Sequence, residues 1–166
     1  MIILGIDPGY AITGIAVLKE EKGNITPLYY DAIITEKINF EERIKIISLK
    51  LEKIIDKYLP EEAGIEKLYF NKNSKTAISV AEVRGAIILT LIKKGVKIFH
   101  YTPLQVKKSV VGYGGADKYQ MQNIVKLLLN LEEIPEPDDV ADAIAVGICH
   151  INSSKFNKII NKSVKL

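Results

Sequence analysis

The chain has 166 residues, of which 48% are hydrophobic and 26% charged, proportions of a folded domain that exclude a disordered or low-complexity one. Lys and Arg number 23 against 20 Asp and Glu, a mild net +3, and no stretch nears the roughly 20 apolar residues of a membrane span. Cys149 is the only cysteine, which excludes an internal disulfide framework and a cysteine zinc cluster. The first seven residues lack the basic region of a signal peptide and meet a carboxylate at once, so a soluble, cytoplasmic protein is expected.

In chain order, Ile2–Asp7 reads as a β-branched strand ended by the turn signal Pro8-Gly9. Residues 13–18 resume as a second strand, with Ile15 and Val17 alternating against Gly14 and Ala16. After the polar Glu20-Glu21-Lys22-Gly23-Asn24 loop, residues 25–35 read as a third. Short turns between them predict an antiparallel meander. Asn39 is placed as an N-cap, with Glu42 completing a capping box. Phe40, Ile44, Ile47, Leu51, Ile54 and Tyr58 mark one face of the helix that follows, and Pro60 stops it.

Residues 63–70 read as a fourth strand, and Ser74 can cap a second helix carrying Ile78, Ala81, Val83, Ile87, Ile88, Leu91 and Ile92, ended by Gly95. A fifth strand spans 96–100, and helices follow at 103–110, 117–131 and 139 to about 156. The pattern predicts one α/β domain over 1–156 and a basic C-terminal tail over 157–166. Its mixed five-stranded sheet holds three antiparallel strands, then two parallel ones, flanked by helices. The crossover helices make the last two strands parallel to each other and to the first.

Charge is unevenly spread. Residues 96–130 carry Lys97, Lys107, Lys108, Lys118 and Lys126 against Asp117 alone. Residues 131–142 carry six acids and no base, and the segment from 151 onward carries four lysines and no acid. An acidic block between basic ones suits a metal held beside a bound polyanion; a solvated helix end is the plainer reading.

Four carboxylates occupy unusual places. Asp7 ends an apolar strand, and Glu66 lies inside the Gly64-Ile65-Glu66-Lys67-Leu68-Tyr69 strand. Asp139 and Asp142 are three apart at the start of the last helix, hence on one face of it. Ala141, Ala143, Ile144, Ala145, Val146 and Ile148 are small and apolar and predict close packing of that helix on the sheet. Acids brought together cannot all stay ionised without counter-charge, and a pair of Mg²⁺ ions, which prefer oxygen ligands, supplies it and makes a phosphoryl-transfer site. Taken singly, Asp7 is also placed to accept turn hydrogen bonds, and Asp139 and Asp142 to serve as acids favoured by the helix dipole.

Leu4-Gly5-Ile6-Asp7-Pro8-Gly9, Thr13-Gly14, Ile65-Glu66, Val110-Val111-Gly112 and Asp139-Val140-Ala141-Asp142-Ala143, in that order and spacing, resemble the RuvC family of Holliday junction resolvases. The resemblance implies a ribonuclease H-like fold, a homodimer and a metal-dependent endodeoxyribonuclease that makes paired nicks in a four-way DNA junction during recombination and repair. It implies two Mg²⁺ per active site, with Mn²⁺ as a substitute, and a branch-migration motor as partner. The family's four acidic positions fall on Asp7, Glu66, Asp139 and Asp142, with Asp138 out of register and read as the helix cap. Lys107 and Lys118 match basic residues near the scissile phosphate, and Lys108 extends that basic stretch toward backbone phosphates. Tyr69 matches an aromatic inserted among bases at the crossover, or is an ordinary strand-end ring. Gly115 stands where some members carry a basic residue, and Tyr10-Ala11 replaces more polar residues, so the sequence preference is open.

Other readings compete. A sugar-kinase-like ATPase lobe also uses an Asp-x-Gly turn, but needs a second lobe and about twice this length. A related nuclease acting on RNA and a junction binder without cleavage are the others; a pure binder gains nothing from four carboxylates beside phosphates. His100, His150 and Cys149 lack zinc spacing and read as structural, and no P-loop pattern is present. Ala81, Gly85 and Ala86 would let a second copy approach the second helix closely, or would face the sheet.

Overall fold

A mixed sheet ordered β3-β2-β1-β4-β5 forms the centre of the computed structural model, which describes residues 1–35, 37–68 and 74–163. β1, Ile2–Asp7, lies in the middle, antiparallel to β2, Ile12–Glu21, and parallel to β4, Glu62–Glu66. β3, Asn24–Ile34, extends the antiparallel side and β5, Lys97–Tyr101, the parallel side, so the three-then-two arrangement expected from the sequence is the one found. Lys22 and Gly23 join β2 to β3 with φ of 52° and 96°, both positive as a two-residue type I′ hairpin requires. Pro27 falls on β3, an edge strand, where a missing N–H is tolerated.

β4 ends at Glu66 instead of running on to 70. Its neighbours decide this. β1 stops at Asp7 before Pro8 and β5 at Tyr101 before Pro103, so beyond Glu66 the ladder continues only through Lys67 N–H to Tyr101 C=O at 2.7 Å. Glu66 therefore stands at the tip of its strand rather than inside it.

α1, Phe40–Tyr58, and α2, Ser74–Lys93, cover one face of the sheet. There Ile47, Leu51, Ile55, Val83, Ile87 and Leu91 pack against Leu4, Ile6 and Ile65. The cap of α1 is one-sided: Asn39 accepts from Glu42 N–H at 2.9 Å, but the Glu42 carboxylate goes to Lys45 at 3.5 Å rather than completing the expected box. On α2, Ile78 and Ile92, two of the apolar residues this helix carries, are 64% and 61% exposed. The helix is apolar nearly all round, and the Val83, Ile87 and Leu91 stripe takes the buried side. Ala81 and Gly85 are exposed on the outer side and do not face the sheet.

The other face is covered by α3, Pro103–Val111, α4, Lys118–Leu128, and α5, Asp138–Ser163. Thr102 with Gln105 and Asp117 with Gln120 form complete capping boxes, fixing the starts of α3 and α4. Val140 N–H bonds Pro137 C=O at 2.9 Å, so α5 begins at Asp138, which is its first residue and not its cap. The helix continues past 156 to Ser163. Ala143, Ile144, Ala145, Val146 and Ile148 are buried against the sheet as their small apolar pattern predicts. Among the described residues no helix is long and apolar enough to cross a membrane.

Candidate active site

Strand alternation decides which carboxylates meet. Leu4 and Ile6 on β1, and Ala63 and Ile65 on β4, pack toward α1 and α2. Gly5 and Asp7, with Gly64 and Glu66, therefore face α5. Asp7 and Glu66 leave the same end of adjacent parallel strands on the same face, and α5 begins over that end with Asp139 and Asp142 in its first turns.

Such closeness needs bare backbone under the helix. A methyl at Gly14 would collide with the Asp139 carbonyl, and one at Gly5 with the Ala143 carbonyl, while Gly147 on the helix lies against Gly5 and Leu18. Thr13, fully buried, closes the Pro8-Gly9 turn: its hydroxyl donates to Gly9 C=O at 2.6 Å and accepts from Gly9 N–H at 3.4 Å. The hydroxyl thus fills the turn role that the sequence alone also allowed to Asp7.

Crowding shows in the acids' proton affinities. Burial, then the charges of Glu66, Asp142 and Asp139 and a hydrogen bond with Glu66, push Asp7 well above the ordinary carboxylate range. Burial, then Asp142, lift Glu66 to about 7, against the pull of the Asp7 hydrogen bond and Lys107. Asp142 is raised by burial and by Asp139, offset by Lys118 and Lys107. Asp7 and Glu66 thus bind a proton more tightly here than either would in water. Glu66 and Asp142 open onto a cleft of about 240 Å³ with Lys107 and Lys118 on its rim and Val106 and Met121 as its apolar wall. Lys107 is held there by donating to Ala116 C=O at 2.7 Å, and Lys118 pairs with Asp138.

Residues 3–150 match the sequence profile of the family described as crossover junction endodeoxyribonuclease RuvC. The chain belongs to the RuvC family. The crossover junction endodeoxyribonuclease RuvC of Ruminiclostridium cellulolyticum is 52% identical over 161 residues, 96% of this chain and 97% of that protein. The one from Halothermothrix orenii is 50% identical over 159 residues, 95% and 96% of the two chains. Thermus thermophilus RuvC in complex with Holliday junction substrate superposes with a TM-score of 0.89 at 27% identity, covering 95% of this chain and 96% of that one. The fold is accordingly ribonuclease H-like, and RuvC membership carries the enzyme class, a nuclease that uses a divalent metal.

The donor set of this RuvC family member fits such a metal in kind. All four groups are carboxylates, the hard oxygen ligands that Mg²⁺ and its relatives prefer, and their mutual repulsion is what a divalent cation relieves. Among the described residues no three acid, histidine or cysteine groups close into a finished cage; Asp7 and Glu66 are turned onto each other. A more open groove of about 900 Å³, between Tyr30 and the 130–136 segment, holds none of the four acids.

The remaining expected residues scatter. Lys108 is exposed and lies outside the cleft, its stem near Gly114. Tyr69 lies outside the described residues. His150 is structural: buried, its Nδ1 2.7 Å from the Tyr101 hydroxyl and its Nε2 2.8 Å from Glu62, at the far end of β4 from Glu66. Burial keeps His150 below its ordinary pKa. Sequence reasoning passed over Arg84, which reaches the backbone of Glu66 from α2. The signal that could have found it is composition: of 23 basic residues only Arg43 and Arg84 are arginine.

Proposed function

We propose that this chain resolves four-way (Holliday) DNA junctions by paired, symmetric hydrolytic nicks in recombination and repair, with Asp7, Glu66, Asp139 and Asp142 holding two Mg²⁺ ions. The observation that carries the reading is the convergence of these four carboxylates at one end of the sheet, beside a cationic cleft. It is supported by likeness to a relative seen on a Holliday junction. What the bound metal supplies is activation of a water and charge neutralisation at the departing 3′ oxygen.

The side chains do the rest. Asp7 and Glu66 would hold the metal from the strand ends, where its charge would relieve the repulsion that raises their proton affinity, and Asp139 and Asp142 would close the site from the helix. Lys107, fixed by Ala116, holds a phosphate oxygen near Glu66 and Asp142. Lys118 leaves Asp138 for the scissile phosphate, trading an exposed pair of small worth for a charge-assisted contact. Lys108, on the outer side of α3, meets backbone phosphate farther along an arm, and Tyr69 stacks on bases at the crossover.

Paired nicks need paired sites, and α2 offers a surface for a second copy: Ile78, Leu89 and Ile92 are 64%, 53% and 61% exposed on one side of it. By family likeness the dimer works in the cytoplasm with a branch-migration motor.

The test uses a synthetic four-way junction and a linear duplex of the same sequence, with Mg²⁺, Mn²⁺ or chelator. Symmetric nicks are expected in the junction alone and only with metal. Asp7→Asn, Glu66→Gln, Asp139→Asn and Asp142→Asn should each reduce cleavage by at least a hundredfold while leaving junction binding equal or tighter. Asp138→Asn should still cut. Loss of binding in all four folded variants would overturn the metal-site reading.

A further inference from the structure

Glu66 projects from the last position of β4, where the ladder is down to Lys67 N–H on Tyr101 C=O, and a second bond, to the carbonyl of that same peptide, completes its fixing. Arg84, half-buried on α2, does this from the face opposite the acids. Its Nε donates to the Glu66 carbonyl at 3.2 Å, and its Nη2 lies 2.9 Å from Nδ1 of His100 on β5. A guanidinium only donates, so His100 Nδ1 is the acceptor. One side chain thereby ties together α2, the tip of β4 and the tip of β5.

The chemistry explains why an arginine stands here in a chain whose other basic residues, Arg43 apart, are lysines. A planar fork reaches a carbonyl and an imidazole in two fixed directions, which a single ammonium on a flexible stem does not. The contact is to the main chain: Arg84 donates to the Glu66 carbonyl. What Arg84 controls is where the main chain of Glu66 sits.

Resting on the reading of the four acids as a metal site, we propose that Arg84 is a positioning residue: by locking the last peptide of β4 to β5 and α2, it sets the Glu66 carboxylate against Asp7 and Asp142 for metal binding. Small displacements there cost much, because a coordinating carboxylate must be held to within a fraction of an ångström.

The experiment compares Arg84→Gln and Arg84→Lys with wild type, the latter guarding against a glutamine variant that fails to fold. Single-turnover cleavage at saturating protein should fall at least tenfold in both, with junction affinity in chelator within twofold of wild type. The Mg²⁺ concentration giving half-maximal rate should rise severalfold. Mn²⁺ binding to protein without DNA, followed by electron paramagnetic resonance, should weaken in step. His100→Leu should shift the same readings by less, and His100→Gln, which keeps an acceptor, should recover part of that loss.

Arg84 variants that weaken junction binding and flatten its salt dependence, yet cut at the wild-type rate when saturated, would make Arg84 a phosphate contact and overturn the proposal. So would a large fall in melting temperature with unchanged metal dependence in the folded fraction. Glu66→Gln is run alongside. If it is inactive while Arg84→Gln is normal, only the Arg84 proposal falls; if Glu66→Gln cuts normally, the metal-site reading falls and takes this one with it.

Discussion

At the scale of single residues, four acids at one sheet end make ionisation costly in this fold. Glu66 rises from 4.5 to about 7, chiefly by burial, and Asp7 rises too. A raised carboxyl pKa means the folded state favours the protonated form. The stability this gives is fully present below the ordinary carboxylate pKa and is lost as pH climbs through about 7. A tenfold change in proton affinity between the folded and unfolded chain is worth about 1.4 kcal/mol. In chelator, wild type should therefore lose melting temperature between pH 5 and pH 8. Asp7→Asn, which removes one of the repelling charges, should raise it by several degrees at pH 8 and by much less at pH 5. Saturating divalent metal should abolish that advantage. Calorimetry at the two pH values checks it; an equal shift at both would mean the acids do not repel.

At the scale of elements, the site depends on how closely α5 lies on the sheet. Gly5 and Gly14 meet its backbone carbonyls directly, and those carbonyls belong to Ala143 and to Asp139, itself one of the four acids. Gly14→Ala should cost about 1–3 kcal/mol or more through overpacking. It should also lower cleavage at temperatures where the variant is fully folded, because lifting Asp139 off the sheet separates the helix acids from the strand acids. Thermal melts read the first effect and single-turnover rates the second. Unchanged rates in the folded variant would show that the site tolerates a helix displaced by a methyl group. Thr13 next to it works on the other strand junction, holding the turn that follows Asp7.

At the scale of the whole molecule, the proposed paired nicking needs a second copy, and the apolar outer side of α2 is the surface proposed for it. Replacing Leu89 and Ile92 together by glutamate puts two like charges there without touching the Val83, Ile87 and Leu91 core stripe. The variant should sediment as a monomer and leave mostly single nicks in a junction, whereas wild type should sediment as a dimer and cut both strands. A double variant that still sediments as a dimer would move the contact to another face. Arg84 leaves the same helix toward the sheet, so the proposed dimer surface and the tip of β4 share one rigid element.

Much of this was written in local pattern. Alternation and turn residues gave five strands, three antiparallel and then two parallel, and Asn39, Pro103 and Asp117 stood where helices begin. The acids were legible because an isolated carboxylate in an apolar strand, or two acids opening an apolar helix, stand out against their neighbours. What local pattern does not carry is which end or face meets which. The end of β4 was fixed by the lengths of β1 and β5, so Glu66 moved from the interior of a strand to its tip. The buried side of α2 was fixed by packing, since a helix apolar all round has no face that periodicity can select. Asp138 became a helical residue paired with Lys118, and Arg84 a tether to Glu66, through partners 20 and 18 positions away. One-dimensional periodicity fixes the kind of each element and the residues on its two sides; close packing of backbone on backbone, as at Gly5 and Gly14, decides which sides meet and so builds the site.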